Sequence, residues 1–368
     1  MKKNFSATAK RTLIASAVAS LMAGSAFAAD TAATPVEGWV EQPKDLAVVD
    51  ITDKGYVLVD DAKGLTGDFA YSTKGEVKTD AVHFASKKAE TQVFSGRAWL
   101  DNSTGMGKKG VKGLATLAKD AVLVNEGSIF VKGSDANFYM NQAMLADQGG
   151  TVENRGLIVT DKAYGMAIGS NGNGNTPDAN KLVNAGNGRI IVNGGAAMEL
   201  GSGVDASSAE NAGSIDVNYL GKDAKVDSVG ILFGMSGTAK GTFTNTGTIE
   251  ADEGAYAIKV DGGNADINLK AGSVRGDILI GGKGGSTVDK VNLTINSDAL
   301  VEGDLTAKDG ELTLKSADGA ATLNGTLTVD GATVTTAYGT VLTIDAPAVA
   351  RVAAPDVDLK KGIFTVAE

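Results

Sequence analysis

Short hydrophobic segments alternate with polar, glycine-rich segments along most of the chain, and between residues 125 and 261 this pattern repeats. A first phrase has the form Asn-x-Gly-x-Ile and occurs at residues 125–129, 154–158, 211–215 and 245–249. A fifth copy begins at Asn184 and reaches its isoleucine, Ile190, two residues late. A second phrase consists of a small residue, then apolar-x-apolar, then usually glycine, at residues 165–169, 197–201, 230–234 and 257–261.

The spacing of the first phrase indicates a repeat architecture. Successive copies begin 29, 30, 27 and 34 residues apart, within the range of solenoid proteins. Apolar residues alternate at period two over three to five positions, as in Ile215-Asp216-Val217, which is typical of strands. The Gly, Asn, Asp and Ser residues between these runs disfavour helices. We therefore predict one coil of a β-solenoid per repeat, with two or three short strands.

The Asn and Gly of each phrase are predicted to be scaffold. We expect them at sharp corners between strands, because both tolerate the left-handed backbone conformation better than other residues. Stacking of the coils would place each Asn above the next, so that the side-chain amides form a hydrogen-bonded ladder. The Ile and Met positions would stack in the same way into a continuous apolar core.

The first 28 residues have the pattern of a secretory signal peptide. A basic segment containing Lys2, Lys3, Lys10 and Arg11 precedes the apolar residues 13–23. Ala26-Phe27-Ala28 then matches the small-x-small cleavage pattern. Because the apolar run is too short to span a bilayer, we predict export through the Sec pathway. A retained anchor is the alternative.

The remaining chain divides into four segments. Residues 29–120 are predicted to form an irregular N-terminal β region and cap, with a short helix from Val111 to Ala118 and a separate small β domain as the alternative. The repeat coils occupy residues 121–275, tighter coils rich in Leu, Val and Thr occupy 276–345, and 346–368 is an Ala/Pro-rich tail.

Two insertions interrupt the repeats, at residues 170–181 and 219–228. Insertions of this kind emerge on one face of a solenoid and often carry binding. We expect passive surface loops at both insertions, with binding as the alternative; any specificity that the chain has is expected there.

Composition agrees with this architecture and narrows the function. Hydrophobic residues make up 43% of the 368 residues, enough for a core, while 49 Gly and only 5 Pro suit short strands with many corners. The net charge is −10, and removal of the four basic residues of the signal segment brings it to −14. An acidic surface repels nucleic acid and anionic lipid, so neither is an expected partner. The absence of cysteine excludes a disulfide framework.

The repeated phrases, the step Gly-Ser-Val-Arg-Gly-Asp-Ile at residues 272–278 and the signal segment resemble the passenger region of pertactin-like, type V secreted autotransporters. The resemblance covers about residues 120–345. It implies an all-β, single-stranded right-handed parallel β-helix (β-solenoid), here with an irregular N-terminal cap. It also implies display at the surface of a Gram-negative cell, often as an adhesin.

The chain departs from this family at its C-terminus. The family ends in an outer-membrane β-barrel, and the residues after 345 are too few to build one. We therefore expect a truncated passenger, a fragment of a longer autotransporter or a stand-alone exported solenoid. Contact with the outer membrane would then require a missing or separate anchor.

Catalytic and metal-binding patterns are weak. His83 is the only histidine, and we expect it on an exposed strand or loop. Without cysteine, a Cys-His pair is impossible, and no Gly-x-Ser-x-Gly elbow accompanies a candidate serine. Residues 281–285 (Gly-Gly-Lys-Gly-Gly) resemble a calcium-binding nonapeptide but lack its aspartate. We therefore expect no cofactor, no metal site and no enzymatic activity.

One tripeptide matches a recognition sequence. Arg275, Gly276 and Asp277 form the integrin-binding sequence Arg-Gly-Asp, although the same residues also suit a corner that leads into a strand. The expected function is that of a surface adhesin or structural stalk with a host glycan or matrix protein as partner.

A polysaccharide-active enzyme on the same scaffold is the alternative function. Such an enzyme would need two carboxyl groups at a set separation, and the sequence does not select a pair among its acids: Asp60, Asp61, Asp205, Asp216, Asp252, Glu253 and Asp277.

Overall fold

The computed structural model describes residues 44–51, 57–59, 62–73, 80–104, 109–169, 179–201, 206–234, 240–281, 288–344, 357–358 and 362–366. Contacts divide the chain into two compact units, Met1–Glu37 and Gly38–Glu368, and every described residue belongs to the second. The signal segment 1–28 and most of the insertion 170–181 therefore lie outside the described residues.

The described residues confirm the prediction of an all-β parallel β-helix. Their strands form three parallel sheets, I, II and III, in which each strand pairs with the equivalent strand of the coils before and after it. Two short 3-10 helices, Ala62–Leu65 and Phe138–Met140, interrupt the strands.

Within each sheet the strands pair in chain order. Sheet I contains Val48–Ile51, Phe69–Thr73, Arg97–Asp101, Ser128–Lys132, Leu157–Asp161, Arg189–Asn193, Ser214–Asn218, Thr248–Ala251, Gly272–Arg275, Ala299–Glu302, Ala321–Asn324, Thr340–Ile344 and Gly362–Val366. Sheet II contains Val57–Val59, Ala81–Ser86, Val111–Thr116, Gln142–Ala146, Tyr164–Ile168, Gly195–Gly201, Ser228–Gly234, Tyr256–Leu269, Asp277–Ile280, Leu305–Ala307 and Leu327–Val329. Sheet III contains Thr91–Phe94, Val122–Asn125, Thr151–Asn154, Lys181–Asn184, Ser207–Asn211, Lys240–Asn245, Tyr256–Leu269, Val288–Asn296, Glu311–Ala317, Thr333–Thr336 and Val357–Asp358. The long strand Tyr256–Leu269 belongs to both sheets II and III.

One coil consists of three strands, one from each sheet. A representative coil runs from Thr151–Asn154 in sheet III through Leu157–Asp161 in sheet I to Tyr164–Ile168 in sheet II. Parallel strands lie about 4.8 Å apart, so the thirteen strands of sheet I extend over about 60 Å.

The core is a set of side-chain columns that run along the stack. In sheet I the isoleucines of the first phrase pair in register and are fully buried: Ile129, Ile158, Ile190, Ile215 and Ile249. Facing them, Met144, Met166 and Met198 of sheet II are equally buried. Burial of one such side chain contributes about 1.5 to 3 kcal/mol, so the repeated columns account for much of the stability.

The asparagines of the first phrase form the expected ladder inside this core. The Nδ2 atoms of Asn125, Asn154, Asn184 and Asn211 each donate to Oδ1 of the next asparagine, the last being Asn245, at 2.8, 2.9, 2.8 and 2.8 Å. All five residues are 0–1% exposed. Buried amides are tolerated only when they are hydrogen-bonded, so each ladder member depends on its neighbours.

The ladder ends where the sequence phrase ends. Phe94 occupies the same position one coil before Asn125, and Leu269 occupies it one coil after Asn245. Asn245 instead donates to the carbonyl oxygen of Gly247 at 3.0 Å. The polar column is thus closed by an apolar side chain at both ends.

The glycines of the phrase are required for a different reason from the one that we expected. Gly127, Gly156, Gly213 and Gly247 are absent from the residues with positive φ. A Cβ atom on Gly127 would lie 2.0 Å from the carbonyl oxygen of Gly96, and one on Gly156 would lie 2.1 Å from that of Gly127. Glycine is needed because consecutive corners touch, and the prediction of left-handed corners was wrong at these positions.

The fifth copy makes the same close corner contact through a different glycine. Gly186 is exposed, and a Cβ atom there would make only an ordinary contact, 3.9 Å from the carbonyl oxygen of Ala212, whereas Gly188 two residues later takes the corner position. Its carbonyl oxygen accepts a hydrogen bond from Ser214 N at 3.0 Å. The two additional residues before Ile190 therefore bulge outward without changing the register of the stack.

The predicted helix from Val111 to Ala118 is wrong. Val111–Thr116 is a fully buried strand of sheet II that pairs with Ala81–Ser86 and Gln142–Ala146. A Cβ atom on Gly113 would lie 2.6 Å from the carbonyl oxygen of Ala143, so the segment packs flat on its neighbour. The described strands of residues 29–120 pair with the later coils in the same three sheets.

Removal of one ladder member is expected to destabilise the stack. Asn184→Ala leaves Asn211 Oδ1 and one hydrogen of Asn154 Nδ2 without a partner inside the core, which costs about 2 to 4 kcal/mol. Urea denaturation followed by circular dichroism measures the change. The matched control is Asn187→Ala, which removes an exposed asparagine three residues away and is expected to change stability by less than about 0.5 kcal/mol. Equal unfolding midpoints for the two variants would contradict a stabilising role of the ladder.

Candidate functional site

The Arg-Gly-Asp tripeptide lies at a corner between sheets I and II. Arg275 ends one strand, Asp277 begins the next, and Gly276 between them has φ of +123°. The Arg275 guanidinium bridges Glu250 at 3.0 Å and Glu302 at 2.8 Å on the adjacent coils. The arginine side chain is therefore engaged by the neighbouring coils. The tripeptide lies between two strands rather than at the tip of a loop.

The same corner recurs in the next two coils. Asp277 Oδ1 accepts from the backbone N of Asp304 at 3.1 Å, and Asp304 Oδ1 accepts from that of Thr326 at 2.8 Å. A Cβ atom on Gly303 would lie 2.2 Å from the carbonyl oxygen of Gly276. Glycine and aspartate of the tripeptide therefore have a structural role that does not depend on its arginine.

His83 is buried, which contradicts the expectation of an exposed residue. It is 2% exposed and stacks on Phe69 with ring centroids 3.2 Å apart. One ring nitrogen lies 3.3 Å from the hydroxyl of Tyr71 and the other lies 3.1 Å from the carbonyl oxygen of Gly64. Burial lowers the pKa of His83 to about 4, so the ring is neutral at physiological pH and belongs to the first coils of the core.

The outer face of sheet II carries a pocket of about 130 Å³. Its lining comes from the two connections that lead from sheet I into sheet II, around residues 133–141 and 219–227, and from the strands between and after them. The lining residues are Phe138, Tyr164, Gly195, Lys225, Asp227, Val229, Leu232, Lys259 and Asp261. We refer to this arrangement as the sheet II pocket.

A buried lysine organises the charges of the sheet II pocket. Lys259 is 4% exposed, and its Nζ lies 2.8 Å from Asp227 Oδ2 and 3.0 Å from Asp261 Oδ2. The same nitrogen lies 5.6 Å from the ring centroid of Tyr256, within the range of a cation–π contact. Burial by itself lowers the pKa of Lys259. The hydrogen bonds to the two aspartates and the attraction of their negative charges have a larger effect, so the pKa lies above its ordinary value.

Aromatic rings form one wall of the pocket. Phe138 lies in the 3-10 helix Phe138–Met140 and meets Tyr164 edge to face, with centroids 5.9 Å apart and an interplanar angle of 76°. Tyr164 is 7% exposed. Burial raises the pKa of its hydroxyl, and the nearby charges of Glu199 and Asp261 raise it further.

The connection that carries Lys225 and Asp227 is held by the coils on both sides. The Tyr219 ring covers Gly254 of the following coil, where a Cβ atom would lie 2.9 Å from the ring. Leu220 covers Gly194 of the preceding coil in the same way, at 2.5 Å. Val226 is buried at 3% exposure. These contacts pre-position the charged residues of the connection at the pocket.

Glu199 occupies the same outward row as Leu232 and Lys259. Its carboxyl group packs over Gly201, where a Cβ atom would lie 1.8 Å from Oε1. Burial raises the pKa of Glu199 to about 8. The carboxyl group is therefore mainly protonated at neutral pH.

The sequence did not predict the pocket. The insertion at residues 219–228, where any specificity was expected to lie, contributes Lys225 and Asp227 to its lining, but whether this segment binds a ligand stays a prediction. The other lining residues come from other coils and were not selected. The sequence did indicate that Lys259 faces outward, because it is the middle residue of the apolar-x-apolar phrase in sheet II.

A pH-dependent stability difference is expected for Glu199→Gln. The folded chain prefers the protonated acid, so the cost of ionising it begins as the pH rises above the ordinary value of 4.5 and is complete above about 8. The glutamine variant lacks this cost and should gain stability relative to the natural chain as the pH rises across that range. Urea midpoints near pH 5 and near pH 8.5 measure the change, with exposed Glu253→Gln as control. A difference that is the same at both pH values would contradict burial of the Glu199 carboxyl group.

Neither searches for metal sites and membrane-spanning helices nor comparisons with known proteins assign the chain to a family. The described residues contain no group of three or more His, Asp or Glu side chains that could hold a metal ion. Among the same residues, no helix is long and apolar enough to cross a membrane. No protein-family model, curated protein or solved structure matches the chain.

Proposed function

We propose that this protein is an exported, surface-displayed β-helical passenger that acts as a structural stalk or adhesin and has no catalytic role. The observation that carries the proposal is the continuous stack of coils, in which core columns such as that of the isoleucines run from each coil into the next. Such a stack resists bending because each coil is hydrogen-bonded to the next in three sheets. Its exposed outward positions are available for contact with partners.

The first 28 residues support the export step of this proposal. Their basic segment, short apolar run and Ala26-Phe27-Ala28 match a Sec signal. The absence of cysteine suits a chain that is threaded unfolded through a second membrane, since a disulfide would close a loop. The resemblance to autotransporter passengers supports display at the cell surface, with a host glycan or matrix protein as partner.

Surface display can be tested with a single introduced cysteine, because the natural chain has none. Tyr338 is 91% exposed, and Tyr338→Cys should react with a membrane-impermeant maleimide on intact cells. Ala209→Cys places the thiol in the core, where the side chain is 1% exposed, and should stay unlabelled. Labelling of Tyr338→Cys only after the outer membrane is permeabilised would overturn surface display.

One observation favours a second candidate, a secreted polysaccharide-active enzyme on the same scaffold. Glu199, with a pKa of about 8, is protonated at neutral pH as a general acid must be. Asp261 supplies a second carboxyl group near Tyr164. Hydrolysis of pectin, xylan or chitosan, measured as released reducing ends, should then be lost in Glu199→Gln and kept in Glu253→Gln. No release from any of the three polymers by the natural chain would remove this candidate.

A further inference from the structure

The sheet II pocket combines an apolar wall with hydrogen-bonding groups. Phe138 and Tyr164 form one side, and Val229 and Leu232 add aliphatic surface. Aromatic rings present a negative face, which favours contact with polarised C–H groups. The volume of about 130 Å³ is well below the roughly 300 to 1,000 Å³ of a site for a drug-sized ligand, so the pocket suits one small ring.

One carboxylate oxygen of the pocket has no hydrogen-bond partner. Asp261 Oδ2 binds Lys259, but Oδ1 of the same carboxylate is buried and accepts no hydrogen bond. Buried acceptors are rarely left unsatisfied, because an unmade hydrogen bond is unfavourable. A small rotation of the Asp261 side chain would expose this oxygen to the pocket, where a ligand that donates a hydrogen bond would satisfy it.

The charges of the pocket balance. Lys225 and Lys259 supply two positive charges, and Asp227 and Asp261 supply two negative charges. The carboxylates already hold Lys259 at 2.8 and 3.0 Å. A cation would be repelled by the lysines and an anion by the aspartates, so this arrangement favours an uncharged ligand with several hydroxyl groups.

We propose that the sheet II pocket binds a single neutral sugar ring, such as the terminal residue of a surface glycan. The C–H face of the ring would contact Phe138 and Tyr164, and a hydroxyl group would donate to Asp261 Oδ1. Lys225 lines the pocket from the connection at residues 219–227 and can donate to a further hydroxyl or ring oxygen. This inference deepens the adhesive function proposed above and rests on it for its biological meaning.

Saturation-transfer difference NMR on the purified full chain tests the proposal. The probes are the methyl glycosides of glucose, galactose, mannose, N-acetylglucosamine and N-acetylgalactosamine. At least one should receive saturation at its ring C–H protons and bind about tenfold more weakly to Phe138→Ala, since the aromatic wall contributes most of the contact. Asp261→Asn, which keeps the shape of the side chain, should also weaken binding.

Tyr338→Ala removes an exposed aromatic ring far from the pocket in sequence and is the matched control, expected to bind like the natural chain. Circular dichroism confirms that each variant is folded. Absence of saturation transfer to all five glycosides, or equal binding by the two pocket variants and the control, would overturn the proposal. The maleimide experiment on cells is independent of this result, so failure of sugar binding and failure of surface display are distinguishable.

Discussion

Parallel stacking in register is the constraint on which the whole structure depends. A parallel ladder fixes which residue of one coil lies beside which residue of the next, so each inward position must suit an identical or similar neighbour on both sides. The asparagine column is the most demanding case, because a buried amide inside an apolar core is acceptable only if the adjacent coil supplies its partner. From Asn125 to Asn245 every coil does so. Phe94 and Leu269 then replace the amide with a side chain that needs no partner.

The later part of the outward row of sheet II is less constrained, and the candidate site lies there. Along one outward row of sheet II, Ala167, Glu199, Leu232 and Lys259 follow one another, a sequence of side chains that no core column would accept. Glycines at the corners allow the connection at residues 219–227 to lie close to its neighbours. The pocket is therefore lined by residues that differ from coil to coil, on a scaffold whose repeated residues face the core.

The repeat was visible in the sequence because stacking imposes it. The spacing of Asn154 and Asn184 predicted a solenoid, and the alternation of Ile215 and Val217 predicted strands. Contacts between coils were harder to predict from the sequence. Glycine is needed at position 127 because a Cβ atom would collide with the backbone of Gly96, not because of its backbone angle. The pocket was the least predictable part, because its aromatic wall and its lysine come from coils more than 90 residues apart and only the register of the intervening strands brings them together. His83 was misplaced because its environment depends on Phe69 of an earlier, irregular coil.

The equivalence of successive coils has a consequence for how such a protein can change its length. Excision of residues 155–184 would bring Asn154 beside Asn211, and the isoleucine columns would close in the same way, so a whole coil is a unit that a gene can lose or duplicate without a new core. The sheet II pocket does not share this tolerance. Loss of that coil would remove Tyr164 and move Phe138 one step closer to Lys259. Variation in coil number would therefore preserve the stack while it removes or creates surface pockets, so the core and the outer surface could evolve at different rates in one chain.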